Sequence, residues 1–491
     1  MQLEEIVNQS LTVDIKISKT DQDFVKQIQQ KLSLFRLYPG GRWIDGLYGS
    51  RTETALNTFG TTLGLNSFNL GKIDRTFAQS LLNTNPVDFA LSLAKNRPRI
   101  LQDFQQLTVG FDSQRLPILD IGYLKSPYPL DINSYTLRLK EKPDYQEVIS
   151  LGATAKLNNP IRSVTFNPYP VIGQLPTIDN NGLNFLHNDI TEACVVVGSF
   201  VEGELRTRWL GKSAMTPVEL WSSTKFISIL YAISQVNSRF VNCDMDNCVI
   251  RNPNNGETYP FFDVVSDVFT YDTRTSTSNS LAAMFKRFNS WVGLEVWLKK
   301  MTGNSNLQFS GRYGEPPFIN APELVDRKLN QTVLKSVTEG NIGSNSVSAY
   351  DLTRMITKLG WHYHIPANAR LPGAQWDSLE SLARAMGKDT ARHLDFAIDK
   401  LALNNVISSP VVLSKMGFGR SDIRNRTELV YTGLIRFIDK RTKPAKLRTM
   451  ALTLRAAKGL NNEDEEARQL DARMGAEITE ILRRLVTEEL G

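Results

Sequence analysis

Ser222 and Lys225 stand three residues apart in Trp221-Ser222-Ser223-Thr224-Lys225, ahead of Phe226, Ile229, Leu230 and Ile233 at helical spacing. Positions i and i+3 on a helix are neighbours, so the Lys225 amine can approach the Ser222 hydroxyl. The chemistry this allows is nucleophilic, because a serine hydroxyl attacks poorly at neutral pH unless a base takes its proton. Burial and a second cation lower a lysine pKa until it can accept that proton. The spacing alone is a weak signal, since Ser92-Leu93-Ala94-Lys95 repeats it without supporting context. Thr216-Pro217-Val218-Glu219 reads as a capping box with proline at the first helical position, which starts the nucleophile helix just before the motif.

Two later groups add to this pair. Ser276-Thr277-Ser278-Asn279 offers a hydroxyl and an amide two residues apart, and Lys415-Met416-Gly417 ends the apolar run Val411-Val412-Leu413. The order Ser-x-x-Lys, hydroxyl-x-Asn, Lys-x-Gly resembles the motif set of class A β-lactamases and penicillin-binding DD-peptidases, over about 300 residues. That resemblance implies an acyl-enzyme on Ser222, with Lys225 as base and no cofactor. Thr277 would relay a proton to the leaving nitrogen and Asn279 would bond the substrate amide. Lys415 would supply positive potential, and Gly417 would let substrate lie against a strand edge. The substrate implied is the D-Ala-D-Ala end of a peptidoglycan stem, or a β-lactam that mimics it. Arg312-Tyr313-Gly314-Glu315-Pro316-Pro317-Phe318-Ile319-Asn320 is similar to the Ω-loop of class A β-lactamases, which makes Glu315 the activator of a deacylating water. Thr277 stands where that family has serine, and Met416 lacks the hydroxyl that helps hold a substrate carboxylate. One unmade bond to a charged group costs about 1.5–3 kcal/mol. The alternative reading is therefore a catalytically degenerate scaffold that binds the wall.

The elements that must position these residues are legible as a pattern. Two strands come first, Glu192 to Phe200 and Leu205 to Leu210, joined by Glu202-Gly203-Glu204. Helices dominate the middle, strand-like runs return at 410–413, 428–437 and 447–454, and an amphipathic helix closes residues 463–490. This predicts an α+β domain over residues 181–491, one antiparallel sheet built from both ends of the domain and flanked by helices. Residues 86–180, with alternating segments such as Leu116-Pro117-Ile118-Leu119-Asp120-Ile121, read as an irregular strand-containing connector.

Residues 20–85 read as a small helical module. Val25, Ile28 and Leu32 sit at helical spacing, and Pro39-Gly40-Gly41 stops that helix. In the next turn Gly46 and Gly49 permit positive φ, and Ser50 or Thr52 is placed to cap a second helix carrying Ala55, Leu56 and Phe59 inward. The stretch Asp45-Gly46-x-Tyr48-Gly49-x-Arg51-Thr52-Glu53-x-Ala55-Leu56-x-x-Phe59 resembles the peptidoglycan-binding module of bacterial wall hydrolases, with Gly60 in place of a usual glutamine. The resemblance implies peptidoglycan as a partner. Asp45, Gly46 and Gly49 then shape the turn, and Tyr48, Arg51 and Thr52 contact glycan or stem peptide.

Composition excludes little. In 491 residues, 57 basic side chains face 51 acidic ones, and the formal charge of +6 gives no nucleic-acid footprint. The densest basic stretch, Lys440 to Arg448, reads as a solvated loop and strand edge. No apolar run approaches a transmembrane span, and the start Met1-Gln2-Leu3-Glu4-Glu5 shows no export signal. Function nevertheless argues for a periplasmic or wall location. Cys194 reads as a buried small hydrophobe; Cys243 and Cys248 flank a polar turn and can either pair or stay free. Alternation in Trp361-His362-Tyr363-His364 puts two histidines on one strand face, without the further ligands a metal would need.

Overall fold

Two early and three late strands join in one sheet in the computed structural model, which describes residues 1–65, 67–68, 71–159, 161–337 and 343–490. β1 (Ile190–Val201) and β2 (Glu204–Lys212) form a hairpin. β3 (Ile407–Ser421), β4 (Arg426–Asp439) and β5 (Ala445–Lys458) form a meander. The order is β3-β4-β5-β1-β2, antiparallel throughout, with Val196 opposite Ala451 where the two chain segments meet. Consecutive residues from Leu429 to Phe437 are all buried. Successive side chains of a strand point to opposite faces, so both faces of the sheet are covered.

α1 (Phe226–Arg239), which follows Ser222 and Lys225, α2 (Phe261–Thr270) and α3 (Ser278–Lys286) make the helical middle. α4 (Ala349–Gly360) and α5 (Glu463–Val486) pack on the sheet. The expected α+β architecture is therefore the observed one. Four acidic residues open α5, where the helix dipole favours negative charge. Within the sheet Glu428 is fully buried among Arg424, Arg426 and Arg455. Burial alone would raise its pKa, but hydrogen bonds from the guanidinium groups hold it down at about 2.

The chain divides into two compact units, Met1–Ile100 with Ile398–Asn405, and Leu101–Ala397 with Val406–Gly491. The first unit's core runs from Leu3 and Ile6 through Phe24, Ile28, Leu56, Phe59 and Phe77 to Phe89, which stacks on Phe59 at 5.3 Å. The helix after the glycine turn spans Ser50–Leu63 with Gly49 at its cap position, so neither Ser50 nor Thr52 caps it.

Several local expectations are corrected. Pro86–Leu93 and Arg97–Thr108 are helices, and Leu116–Ile121 is a run of turns closed by Leu116 N donating to Asp120 at 2.7 Å. The Trp361–His364 segment is the turn after α4, not a strand. Both histidines are buried core residues, pushed down to about 4 by desolvation, and His364 Nε2 lies 2.7 Å from the Leu139 carbonyl. Cys243 and Cys248 are free thiols with sulfurs 3.4 Å apart. In the basic stretch Lys440 and Lys443 are exposed in the loop as expected, while Arg441 pairs with Asp439 at 2.7 Å and Lys446 and Arg448 pair with Glu488 at 2.5 and 2.8 Å. No helix among the described residues is long and apolar enough to cross a membrane.

Candidate active site

The nucleophile turn is built differently from the expected capped helix. Val218–Glu219 is a short strand paired with Asn345–Val347, Trp221–Thr224 is a single 3₁₀ turn, and α1 begins only at Phe226. The Thr216–Glu219 capping box is absent because these residues pair as a strand. Trp221 adopts φ +51°, a left-handed conformation that costs a bulky residue on the order of 1–3 kcal/mol. Its indole N–H donates to Glu428 at 3.0 Å, and its ring lies against Gly419, where an added Cβ would come within 2.6 Å of it. At Gly417 an added Cβ would meet the Leu220 carbonyl at 2.6 Å and Ser223 N at 2.9 Å. Gly417 thus lets the nucleophile turn itself close against β3.

Lys225 is 1% exposed, and its Nζ donates to Asn279 Oδ1 at 2.7 Å and Ser278 Oγ at 2.9 Å. Desolvation, with a smaller push from Lys415, drops its pKa to about 6 against the pull of Glu315. Lys415 is fully buried on β3, and its Nζ donates to the Tyr271 hydroxyl at 2.5 Å and the Met416 carbonyl at 3.2 Å. The Ser222 side chain also helps hold the pKa of that same Tyr271 hydroxyl down. Burial raises the Tyr271 pKa, and Lys415 opposes the rise. Behind Lys415 the buried Asp389 accepts from Met416 N at 2.9 Å and Ala391 N at 3.1 Å. Burial raises its pKa too, with Lys415 opposing.

Glu315 belongs to the same constellation. Asn279 Nδ2 donates to its Oε1 at 3.0 Å, so one amide links Lys225 to Glu315. Thr277 is the N-cap of α3 and its hydroxyl donates to the second Glu315 oxygen. The hydroxyl expected to serve the leaving group is therefore turned to Glu315, while Lys415 holds a phenol, that of Tyr271. Lys225, Asn279 and Glu315 come together by hydrogen bonds, Lys415 acts on Lys225, and Ser222 accepts from Lys225 N through its carbonyl at 3.2 Å, whereas Tyr271 and Asp389 carry no motif of their own. Tyr271 sits at the C-cap of α2 with φ +56°, a conformation that the sequence does not announce.

Lys286 is a second buried lysine beside the site. Its Nζ donates to the Gly311 carbonyl at 2.6 Å and Asn345 Oδ1 at 2.8 Å, and it stands 5.0 Å from the Tyr313 ring centroid. Burial brings its pKa down to about 7. Asn345 also accepts from Gly311 N at 3.0 Å, so the pair braces the loop that carries Glu315.

In the first unit Gln29 organises the glycine turn. It is fully buried, its amide N donates to Asp45 and Tyr38 at 3.0 Å, and its oxygen accepts from Gly46 N at 2.9 Å. Gly46 has φ +78°, and a Cβ there would meet the Gln22 carbonyl at 2.7 Å. Of the three expected contact residues, Thr52 is buried at 1% exposure and points to Gln29, which removes it from the surface. Arg51 stands 4.7 Å from the exposed Trp43 ring, and Tyr48 lines a cavity of about 680 Å³ with Lys16, Lys19 and Glu53. The Tyr48 hydroxyl is buried there without a hydrogen-bond partner.

No protein-family model matches the chain, and no curated protein matches it. Solved structures do. A β-lactamase from Desulfarculus baarsii is 12% identical over 62% of this chain and 93% of its own, with a TM-score of 0.36. A β-lactamase from Streptosporangium roseum is 13% identical over 62% and 97%, with a TM-score of 0.33. Penicillin binding protein 3 from Mycobacterium tuberculosis is 11% identical over 61% and 77%, with a TM-score of 0.31. At these scores the chemistry of the chain has to be read from the side chains around Ser222.

Proposed function

We propose that the chain is a serine hydrolase of the β-lactamase/DD-peptidase type, acting on peptidoglycan stem peptides or β-lactams through an acyl-enzyme on Ser222. The observation that carries this reading is that Lys225 of the Ser-x-x-Lys motif, buried and of lowered pKa, is linked through the Asn279 amide to the Glu315 carboxylate and feels a second buried lysine, Lys415. Lys225, largely neutral at pH 7, takes the Ser222 proton as Oγ bonds to the carbonyl carbon. Tyr271, its hydroxyl already held by Lys415, hands a proton to the leaving nitrogen as the C–N bond breaks. Asn279 bonds the substrate amide and holds Lys225. Glu315 then activates water to cleave the ester, and the Ser222 N–H is one donor to the oxyanion.

The first unit is proposed to bind peptidoglycan through Tyr48 and Arg51, which favours stem peptide over free β-lactam and a periplasmic or wall location. A test is incubation with a peptide ending in D-Ala-D-Ala and with benzylpenicillin, reading released D-alanine and penicilloate. D-Alanine release lost in Ser222→Ala supports a peptidase, and rapid penicilloate turnover supports a β-lactamase. Neither product would leave the wall-binding scaffold, a reading favoured by one observation: Lys225 Nζ is bonded to Ser278 and Asn279.

A further inference from the structure

Beside the reaction centre lies a cavity of about 640 Å³ whose wall is shared with that centre. Thr270 and Asp272 line it, while Tyr271 between them carries its hydroxyl to Lys415. Lys388 and Thr390 line it, while Asp389 between them accepts from Met416 N. Two short stretches thus give alternate residues to the cavity and to the catalytic constellation. The volume falls in the range of small-molecule sites, roughly 300–1,000 Å³.

The polar lining is weighted towards acceptors, with Asp120, Asp263, Asp267 and Asp272 against Lys388 and Arg274. Ser266 Oγ and Thr390 Oγ1 are buried with no hydrogen-bond partner, and Ser266 is only 8% exposed. Such orphaned hydroxyls are uncommon and mark a place for a ligand or ordered water. Asp263 and Asp267 add carboxylates, and Tyr123 and Tyr259 add aromatic faces. The lining also holds two cations: Lys388, which feels Asp263 and stands 4.5 Å from the Phe262 ring centroid, and Arg274, which pairs with Asp272 at 3.1 Å. An ammonium group donates three hydrogen bonds, accepts none, and is attracted by carboxylates and aromatic faces. An anion would face Asp263 and Asp267.

We propose that this cavity binds a small primary ammonium compound, and that its occupancy shifts the Tyr271–Lys415–Asp389 arrangement and with it the reactivity of Ser222. The second half rests on the reading of Ser222 as nucleophile. The test is calorimetry on the full chain with 1,4-diaminobutane, and with 1,4-butanediol as the uncharged counterpart. The diamine binds saturably and the diol does not; Asp263→Asn and Ser266→Val each weaken diamine binding about tenfold while unfolding near the parent temperature. Coupling between sites is reciprocal, so Lys415→Gln changes diamine affinity by about threefold or more, and the diamine changes the rate of acylation by benzylpenicillin by a similar factor. Equal heats for diamine and diol, or diamine affinity untouched in both cavity variants, would overturn the site. A diamine that binds with the same affinity to Lys415→Gln and leaves acylation unchanged would overturn the coupling. If the parent is never acylated, the Ser222 reading fails by itself, and the calorimetric comparisons still decide the cavity and its link to Lys415.

Discussion

Lys415 donates to the Tyr271 hydroxyl at 2.5 Å, and this contact puts a phenol on the lysine of the Lys-x-Gly motif, whereas Thr277, the hydroxyl of the expected relay, bonds to Glu315. A phenol held by a buried ammonium is a better acid than an aliphatic hydroxyl, since the cation stabilises the phenolate. Tyr271→Phe keeps the ring and removes the proton, so acylation of Ser222 should slow about a hundredfold, in the range of a lost general acid. Thr277→Val removes only a helix cap and a bond to Glu315, and its acylation rate should stay within about tenfold of the parent. Stopped-flow acylation by a chromogenic β-lactam separates the two; equal losses would return the relay to Thr277.

The Lys225 pKa of about 6 sets a pH profile. Acylation should fall about tenfold per unit below that value and level off above it, as the neutral amine becomes fully populated. The same shift bears on stability. The folded-state pKa lies below the unfolded value of 10.5, so between pH 10.5 and about 6 the unfolded chain binds the extra proton, and stability falls as pH falls through that window. Lys225→Met should therefore abolish acylation while raising stability at pH 7 by several kcal/mol, on the order of the shift. Thermal unfolding of both proteins at pH 7 and pH 10 checks it, the gap narrowing at the higher pH.

The sheet and its closing helix were readable because strand and helix periods differ, and residues 190–212 and 407–486 keep them cleanly. The motif residues were readable because each is a reactive type at a fixed offset from another. The nucleophile turn was not: Thr216-Pro217-Val218-Glu219 has helix-start chemistry, and only pairing with Asn345–Val347, a long-range contact, makes it a strand. Tyr271 was hidden for a related reason, since its role depends on the left-handed C-cap that aims it. Gly417 is legible by its type, and its packing against Leu220 and Ser223 is not, because that contact is long-range.

Gly417→Ala forces a methyl to within 2.6 Å of the Leu220 carbonyl, a backbone atom that cannot rotate away. The variant should lose about 1–3 kcal/mol of stability, the usual range for overpacking, and show slower acylation from a displaced Ser222. Denaturant unfolding measures the first and stopped-flow the second; a fully stable variant with parent kinetics would mean that the turn does not lean on β3.

Glu428 joins the sheet to the nucleophile turn through Trp221 at 3.0 Å, and it is fully buried beside Arg455. Glu428→Gln leaves Arg455 uncompensated and should cost about 3–5 kcal/mol. Because its folded pKa is depressed, the carboxylate's contribution is complete above pH 4.5 and is lost as pH falls through about 2. Urea titrations of parent and variant at pH 7 and pH 2.5 should converge at the lower pH.

Lys286 acts on the loop of Glu315 and not on Ser222. Lys286→Met should leave acylation within about threefold and slow release of the acyl group about tenfold, with Glu315→Gln slowing release further. A variant slowed only in acylation would contradict this division.

The most direct test of the account is intact-mass spectrometry of the full chain mixed with benzylpenicillin, beside Ser222→Ala. The account predicts a mass increase of one penicilloyl group in the parent and none in Ser222→Ala. An unmodified parent that leaves penicillin intact, or an adduct that persists in Ser222→Ala, would contradict it.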